Sequence, residues 1–309
     1  MPKIIIVGHK NPDTDTIVSA IAAEEYFKNV LKMDAKACRA GELNNETKFI
    51  LKAFSTETPS LFKNLKKDER VVLVDHNEAG QRPDGAGDAF INGIIDHHKV
   101  SLETESPIFL RVLPVGSTAS IIAKMYLESG KKIQPKIAKL LIAGIMSDTL
   151  GLNSPTTAED DRKMAKELNK IAKLDLKVFI NDMFSAKSSL KGISIDALIS
   201  QDYKPFKMGK HKVGIGVWET TDPKSVNLKK DEIMKALRKK KAGEKLDLIF
   251  FFIVDIVKQE SLLFLVGEEE AEAAKKAFKG NAGSSEMLLK GIVSRKKQMV
   301  PMLMAQLNK

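Results

Sequence analysis

Short β-branched runs alternate with helix-length segments through about the first 180 residues of this 309-residue chain. The strand-like runs are KIIIV (3–7), RVVLVD (70–75), INGIID (91–96) and LRVLPV (110–115). Helices are predicted at 16–31 and 135–149. Strands that are separated by helices run parallel in one sheet, and the helices cover its faces. We therefore predict an α/β domain with a parallel sheet.

A second α/β unit follows a short polar stretch. Residues 185–194, SAKSSLKGIS, lack apolar periodicity and are rich in small and polar side chains, which is typical of a linker. Beyond them, strands are predicted at 203–208, 212–220, 246–257 and 261–267, helices at about 226–241 and 268–278, and a strand, a basic turn and a helix at the end. We predict a first domain over 1–186, a linker over 187–194, and a smaller mixed-sheet domain over 195–309.

The charge of the chain leaves two classes of partner open. The formal net charge is +10 at pH 7, which suits either nucleic acid or a small, highly anionic substrate. Aromatic residues make up only 6% and are mostly Phe within apolar runs, so platforms for base stacking are not evident. We therefore expect no nucleic-acid partner, although charge alone does not decide the point.

Hydropathy and cysteine usage point to a reducing, aqueous compartment. No stretch reaches the ~18 uncharged apolar residues that a membrane span needs, and the opening MPKIIIVGHK does not match a secretory signal. Cys38 is the only cysteine, so no internal disulfide can form. We expect a cytoplasmic protein without a membrane partner.

Acidic and histidine side chains cluster where the predicted elements of the first domain end. They are His9, Asp13 and Asp15 after the first run, Asp75 and His76 after the second, Asp96, His97 and His98 after the third, and Asp148 near the end of a helix. Four of the five histidines lie in these clusters. Loops at the carboxyl ends of parallel strands meet at one edge of the sheet, where ligands bind.

Each cluster also has an ordinary structural explanation. Asp13 or Asp15 could simply cap the following helix. Asp75 could form a turn, and Asp148 could be an ordinary polar residue at a helix end. Four such coincidences at comparable topological positions favour a common site instead.

The ligand chemistry of that site predicts a metal centre. Imidazole and carboxylate ligands without thiolate favour Mn²⁺, Co²⁺ or Mg²⁺ over a structural zinc cage. Six candidate ligands are too many for one ion that must keep an open water position, and two divalent cations would neutralise four carboxylates. A pair of ions about 3.5–4 Å apart, with a bridging water or hydroxide as nucleophile, suits hydrolysis at phosphorus. The six candidates are His9, Asp13, Asp15, Asp75, His97 and Asp148.

The motifs resemble those of the DHH phosphoesterase superfamily. They are GHKNPDTD (8–15), VDHNE (74–78), IIDHH (94–98) and MSDT (146–149). DHH nucleases end in a domain with a Gly-rich GGGH-like motif, which this chain lacks. GIVSRKKQMVP (291–301) and DYKPF (202–206) instead resemble the basic segments of family II, manganese-dependent inorganic pyrophosphatases. This resemblance spans both domains.

The resemblance implies a fold, a reaction and a role for each site residue. It implies an active site in the cleft between the domains, hydrolysis of pyrophosphate to two phosphates, two Mn²⁺ (or Co²⁺) per subunit, further Mg²⁺ (or Mn²⁺) with the substrate, and a homodimer through the first domain. By residue, it implies that His9 and Asp13 hold one metal, that Asp15, His97 and Asp148 hold the other, and that Asp75 bridges them. It implies that His98 bonds the substrate and protonates the leaving phosphate. It also implies that Lys204, Arg295 and Lys296 bind phosphate oxygens. Roles for His76, Asp96, Lys99 and Lys297 stay open.

Two alternatives accompany this interpretation. A short-chain polyphosphatase or another DHH-type phosphodiesterase would use the same metal centre on a different substrate. A non-catalytic nucleic-acid binder would use the +10 charge but would leave the Asp and His clusters unexplained.

Overall fold

A computed structural model gives the architecture of the chain. It describes residues 3–63, 69–86, 91–104, 106–190, 192–280, 283 and 285–308. The chain forms two compact units, Met1–Met183 and Phe184–Lys309. Within the described ranges, no helix is long and apolar enough to cross a membrane.

The sheet of the first unit is parallel throughout, as predicted. Its described strands lie in the order β3-β2-β1-β4-β5-β6. They are β1 (Lys3–Val7), β2 (Ala35–Arg39), β3 (Ser60–Leu61), β4 (Glu69–Val74), β5 (Ile91–Asp96) and β6 (Phe109–Val112). Ile4 and Ile6 are fully buried on one side of β1, and Ile5 and Val7 are buried on the other side in an apolar cluster with Leu73, which explains the unbroken apolar run.

Helices connect these strands or follow the last of them along the chain, and the sixth helix continues past the end of the first unit. They are α1 (Thr14–Asn29), α2 (Asn45–Ala53), α3 (Thr118–Glu128), α4 (Pro135–Asp148), α5 (Glu159–Ala172) and α6 (Leu176–Ser188). Side-chain oxygens of Asp13, Asn44 and Ser117 cap α1, α2 and α3 by accepting hydrogen bonds from backbone N–H groups. These caps fix where the first turn of each helix lies, and two of them adjoin the acidic clusters.

The second unit has the mixed sheet that the sequence predicts. The described strands lie in the order β11-β10-β9-β8-β7, with β8 and β9 parallel and the other pairs antiparallel. The strands are β7 (Asp202–Met208), β8 (His211–Thr220), β9 (Leu248–Asp255), β10 (Glu260–Leu265) and β11 (Glu286–Lys290). The helices are α7 (Ile195–Ser200), α8 (Pro223–Asn227), α9 (Lys230–Gly243), α10 (Glu268–Phe278) and α11 (Val300–Leu307). Phe250, Phe251 and Phe252 of β9 are fully buried at the centre of this sheet.

The structure differs from the sequence predictions in a few local elements. The single helix predicted at about 226–241 is two helices, α8 and α9, because Pro223 starts a short first one that ends at Asn227. Helix α6 continues to Ser188, into the stretch interpreted as a linker. The domain boundaries themselves stay a prediction.

Candidate metal centre

The acidic and histidine clusters lie at one edge of the first sheet. β1 pairs with β4, and β4 pairs with β5, so the carboxyl ends of these three strands are neighbours. His9 follows β1, Asp75 follows β4 directly, and His97 follows β5. Helix α1 begins beside this edge, just after its cap Asp13, and α4 contributes its last residue, Asp148. Loops remote in sequence thus supply one site.

The described side chains form three overlapping groups of possible metal ligands, all of which contain Asp75. One of them is the group Asp75, His97 and His98. The two groups that hold the predicted ligands are His9, Asp13 and Asp75, and Asp15, Asp75, His97 and Asp148. In each group, one ligand atom per residue lies within 4.8 Å of every other. All six predicted ligands therefore lie together, and Asp75 belongs to both groups.

Asp75 presents one carboxylate oxygen to each group. Its Oδ2 lies 3.4 Å from His9 Nε2, and its Oδ1 lies 3.4 Å from His97 Nε2. The hydroxyl of Thr16 donates to Oδ2, and that of Thr118 donates to Oδ1. The carboxylate is 1% exposed, so each oxygen is held in place on both sides.

The backbone at Asp75 is strained. Its φ is +62°, in the left-handed region that non-glycine residues seldom adopt. The Asp75 N–H bonds to the Ile95 carbonyl at 3.0 Å, which secures the turn against β5. Such strain persists where the surrounding structure determines it, and here it accompanies the shared position of the carboxylate.

His97 and His98 are oriented by contacts on their Nδ1 atoms. His97 Nδ1 lies 3.0 Å from the Val115 carbonyl, which places its Nε2 3.4 Å from Asp75 and 3.6 Å from Asp148. His98 Nδ1 lies 2.8 Å from Asp96 Oδ1 and 4.0 Å from Asp75 Oδ1. A metal-ligating histidine is commonly fixed in this way through its other ring nitrogen.

The two aspartates of the first loop have different surroundings. Asp13 caps α1, since its Oδ1 accepts from Thr16 N at 2.9 Å, while its Oδ2 lies 3.5 Å from His9 Nε2. The capping explanation and the metal explanation are therefore compatible at this residue. Asp15 is fully buried and accepts hydrogen bonds from Thr118 N at 2.6 Å and Ala119 N at 3.0 Å.

Protonation equilibria in the cluster are strongly perturbed. Burial lowers the pKa of His9, but the carboxylates of Asp13 and Asp75 outweigh burial and raise this pKa to about 10. Burial and the charge of Asp75 raise the pKa of Asp15 well above its ordinary value. The pKa of Asp75 moves well below its ordinary value, because hydrogen bonds with His9 and His97 outweigh burial. The cluster thus takes up protons to balance buried negative charge, a balance that cations would also supply.

The donor set fits divalent metal ions of intermediate hardness. Imidazole nitrogen and carboxylate oxygen suit Mn²⁺ or Co²⁺, and the cluster contains no thiolate. Four carboxylates close together repel one another unless positive charge lies between them. The two overlapping groups offer places for two such charges.

His76, Asp96 and Lys99, whose roles the sequence leaves open, make hydrogen bonds within the protein near the site. His76 Nδ1 lies 2.9 Å from the Val74 carbonyl, and burial lowers its pKa to about 4, so the ring is neutral. Asp96 accepts from Asn77 Nδ2 at 2.6 Å, and Asn77 Nδ2 also donates to the carbonyl of Lys99 at 2.9 Å. Burial raises the pKa of Asp96, but the hydrogen bond and charge of His98 outweigh it and lower this pKa to about 2. Asp96 is therefore an anion that orients His98 and the loop behind it.

Residues that sequence reasoning missed hold the predicted ligands in place, among them Glu46 and Gly144. Glu46 of α2 is buried and accepts from Thr14 Oγ1 and Ser147 Oγ, both at 2.8 Å, so it ties the start of α1 to the end of α4. Gly144 lets α4 approach α1, because a Cβ there would lie 2.6 Å from Asp15 Oδ1. The glycine in the middle of an apolar helix was a readable signal of close packing, whereas nothing local marks Glu46.

The predicted basic residues Lys204, Arg295 and Lys296 lie in the second unit. Arg295 donates from Nη1 to the carbonyl of Asp202 at 2.7 Å, and its Nη2 lies 2.7 Å from Asp202 Oδ1. Lys204 is two residues along β7 and is partly exposed. Lys296 and Lys297 are exposed on the π-helical turn Arg295–Met299, a rare geometry that often marks functional positions.

Comparisons with known proteins agree with this architecture. The family model described as "DHH family, N-terminal domain" matches residues 3–145, and the "DHHA2 domain" model matches residues 181–306. The fold and the clustered ligands thus define a two-domain protein of the DHH class, with a candidate metal centre in its first unit.

Relatives that match over nearly the whole chain identify the family within this class. A protein of Bacillus licheniformis named "Probable manganese-dependent inorganic pyrophosphatase" is 43% identical over 305 residues, covering 98% of each chain. A Staphylococcus saprophyticus protein of the same name is 39% identical over 310 residues, covering 100% of each. A crystal structure titled as a "putative family II inorganic pyrophosphatase" of Methanococcus jannaschii matches with a TM-score of 0.87 and 39% identity, over 99% of this chain and 100% of that one. The chain belongs to the family of manganese-dependent, family II inorganic pyrophosphatases.

Proposed function

We propose that this protein hydrolyses inorganic pyrophosphate to two phosphates at a centre of two divalent metal ions. One observation carries the proposal: two groups of ligands share Asp75, and each group faces a different oxygen of its carboxylate. This arrangement suits a metal pair, and the full-length relatives named as manganese-dependent pyrophosphatases supply the reaction.

The predicted ligands would divide between the two ions in the same way as they divide between the two groups. His9 and Asp13 would hold one ion, the trio Asp15, His97 and Asp148 the other, and Asp75 both. When bound, the ions supply Lewis acidity, which lowers the pKa of water and stabilises charge on phosphoryl oxygens. Mn²⁺ is the proposed metal, with Co²⁺ as the alternative that the same donors accept, and further Mg²⁺ or Mn²⁺ accompanies the substrate.

His98 is proposed to bond the substrate and to protonate the leaving phosphate. Burial first and the neighbouring His97 second lower its pKa. A bound tetra-anion would raise this pKa, because nearby negative charge favours the imidazolium. Asp96 holds His98 Nδ1 at 2.8 Å and supports the charged ring, which leaves Nε2 as the atom that gives the proton.

Lys204, Arg295 and Lys296 are proposed to bind phosphate oxygens. Guanidinium can bind phosphate through two parallel hydrogen bonds, and lysine supplies a compact charge. The contact between Arg295 and Asp202 supports this role, since a guanidinium that is oriented in advance loses less entropy on binding.

The proposal includes a homodimer through the first unit and a cytoplasmic location. Strand β6 lies at the edge of the described sheet, and its Phe109 and Leu110 are 47% and 48% exposed. An apolar edge strand of this kind is a template for pairing with a second copy. The single buried cysteine, Cys38, suits a reducing compartment.

Phosphate release tests the proposed reaction. The protein is stripped of metal with a chelator, and Mn²⁺, Co²⁺ or Mg²⁺ is added back. Phosphate release is then measured on pyrophosphate and tripolyphosphate, and mononucleotide release on a dinucleotide. We expect Mn²⁺ or Co²⁺ to restore activity, with pyrophosphate the best substrate. If pyrophosphate is the poorest of the three, the substrate assignment is wrong, and tripolyphosphate in first place would indicate the polyphosphatase.

A further inference from the structure

Residues 115–120, here called the orienting segment, contact several predicted ligands without supplying one. The Val115 carbonyl lies 3.0 Å from His97 Nδ1. The Thr118 N–H donates to Asp15 Oδ2 at 2.6 Å, and the Thr118 hydroxyl donates to Asp75 Oδ1 at 3.0 Å. The segment thus fixes side chains that belong to the group Asp15, Asp75, His97 and Asp148.

The orienting segment is itself held by Asp161, the third residue of α5. This carboxylate is fully buried. Its Oδ2 accepts from Gly116 N at 2.7 Å, and its Oδ1 accepts from Ser120 Oγ at 2.5 Å. Asp161 therefore binds the segment on both sides of Thr118.

Close packing leaves the segment little freedom. A Cβ at Gly116 would lie 2.6 Å from Thr149 Cγ2 and 2.8 Å from Asp161 Oδ2, so only glycine fits between them. Thr149 directly follows the predicted ligand Asp148. The segment is thus confined between the end of α4 and the start of α5.

We infer that Asp161 is a positioning residue for one of the two metal ions, acting through the orienting segment. The inference rests on the proposed function, because it assumes the two-metal centre. Asp161 also accepts from Ala158 N at 2.7 Å at the start of its own helix. A capping role alone does not account for the two bonds to residues more than 40 positions away.

A change at Asp161 should affect only one of the two metal ions. The orienting segment bonds Asp15, His97 and the Asp75 oxygen that faces His97. Loosening the segment should therefore weaken the ion held with His97 and spare the one held with His9. Changes around the ligands of a metal site typically cost 10–100-fold in affinity.

The test measures Mn²⁺ affinity in single-site backgrounds by calorimetry, without substrate. His9→Ala leaves the ion held with His97, and His97→Ala leaves the ion held with His9. Asp161→Asn, which keeps the size but lacks the second acceptor oxygen, should weaken the ion that remains in His9→Ala about tenfold. In His97→Ala the affinity should stay within about twofold.

Two further variants separate positioning from stability. Asp255→Asn changes another buried carboxylate that accepts from backbone N–H groups, those of Val257 and Lys258, and lies in the second unit. It should lower the melting temperature and leave Mn²⁺ affinity unchanged. Ser120→Ala removes one of the Asp161 bonds and should weaken the same ion by a smaller factor, which decides the question if Asp161→Asn does not fold.

The outcomes distinguish the inference from the proposed function. Equal loss at both ions, or no loss at either, overturns the role of Asp161 while the two-metal centre stands. If the wild-type protein binds fewer than two Mn²⁺, the proposed centre is wrong, and the inference is overturned with it.

Discussion

The two units present charge in opposite ways. In the first unit, Asp15 and Asp75 are 0% and 1% exposed, and backbone amides and threonine hydroxyls hold each of their carboxylate oxygens. In the second unit, the side chain of Arg295 is 16% exposed and Lys296 is exposed. Buried like charges are costly without a compensating ion, whereas exposed lysines are not. The acidic cluster therefore suits resident cations, and the basic residues are the ones proposed to bind the substrate.

This contrast predicts that substitutions in the two units fail differently. Changes in the acidic cluster should alter metal affinity and, through it, turnover. Changes among the basic residues should leave metal binding intact and alter substrate binding and turnover.

Asp75→Ala is expected to have the largest effect. Both groups of ligands use this carboxylate, so both ions should bind weakly. A metal contributes several kcal/mol of transition-state stabilisation, so phosphate release should fall by about 10³-fold or more. Calorimetry with Mn²⁺ should show that both binding events are lost. One retained site of wild-type affinity would show that Asp75 is not shared.

Lys296→Ala should lower activity on pyrophosphate without changing metal binding. Loss of a charged hydrogen bond costs about 1.5–3 kcal/mol, which corresponds to about 10–100-fold in kcat/KM for pyrophosphate. Mn²⁺ affinity should match that of the wild type. The exposed neighbour Lys297 provides the control, and Lys297→Ala should change kcat/KM less. A fall in Mn²⁺ affinity for Lys296→Ala would contradict the division.

Gly144→Ala should disturb the acidic cluster by pushing α4 away from α1. The added Cβ would meet Asp15 Oδ1 at 2.6 Å and Val18 Cγ2 at 2.7 Å, so α4 must move away from α1. Overpacking of this kind costs about 1–3 kcal/mol of stability, and we expect Mn²⁺ affinity to fall as Asp15 shifts. Gly243→Ala is the matched control, because that helical position faces open space. Melting temperature and Mn²⁺ titration together check both variants, and equal results for the two would contradict the packing argument.

Asp202→Asn should have the smallest effect. The change removes the charge that holds Arg295 Nη2 at 2.7 Å but keeps the backbone carbonyl that accepts from Nη1. Arg295 should become more mobile, and KM for pyrophosphate should rise by a few-fold, about 0.5–1 kcal/mol per side chain to be ordered. Steady-state kinetics measure the change. An unchanged KM would show that Asp202 does not prepare Arg295 for substrate.

Much of the fold could be predicted from the sequence because its signals are local. The runs at β1, β4, β5 and β9 are apolar and bounded, and their alternation with helices determines a parallel first sheet. β2 was not predicted because AKACR has no apolar run, and α7 was not predicted because six residues are too few for a helical period. These elements form through tertiary packing, which a short window does not show.

In the candidate site too, some residues could be predicted from local sequence signals and others could not. Ligand candidates such as Asp75 and His97 were visible because they directly follow strong strand signals, and the structure brings them together. Glu46 and Asp161 were not visible because each acts across at least 30 residues through hydroxyl or backbone groups that carry no motif. Residues that touch a ligand can leave a pattern in the sequence, whereas residues that hold those residues appear only in three dimensions.

A crystal grown with Mn²⁺ and measured at the manganese absorption edge tests the two-metal centre directly. We expect two anomalous peaks in the first unit, one between His9 and Asp13 and one among Asp15, His97 and Asp148, with Asp75 touching both. A single peak, or two peaks that do not share Asp75, would contradict a two-metal centre built around this carboxylate.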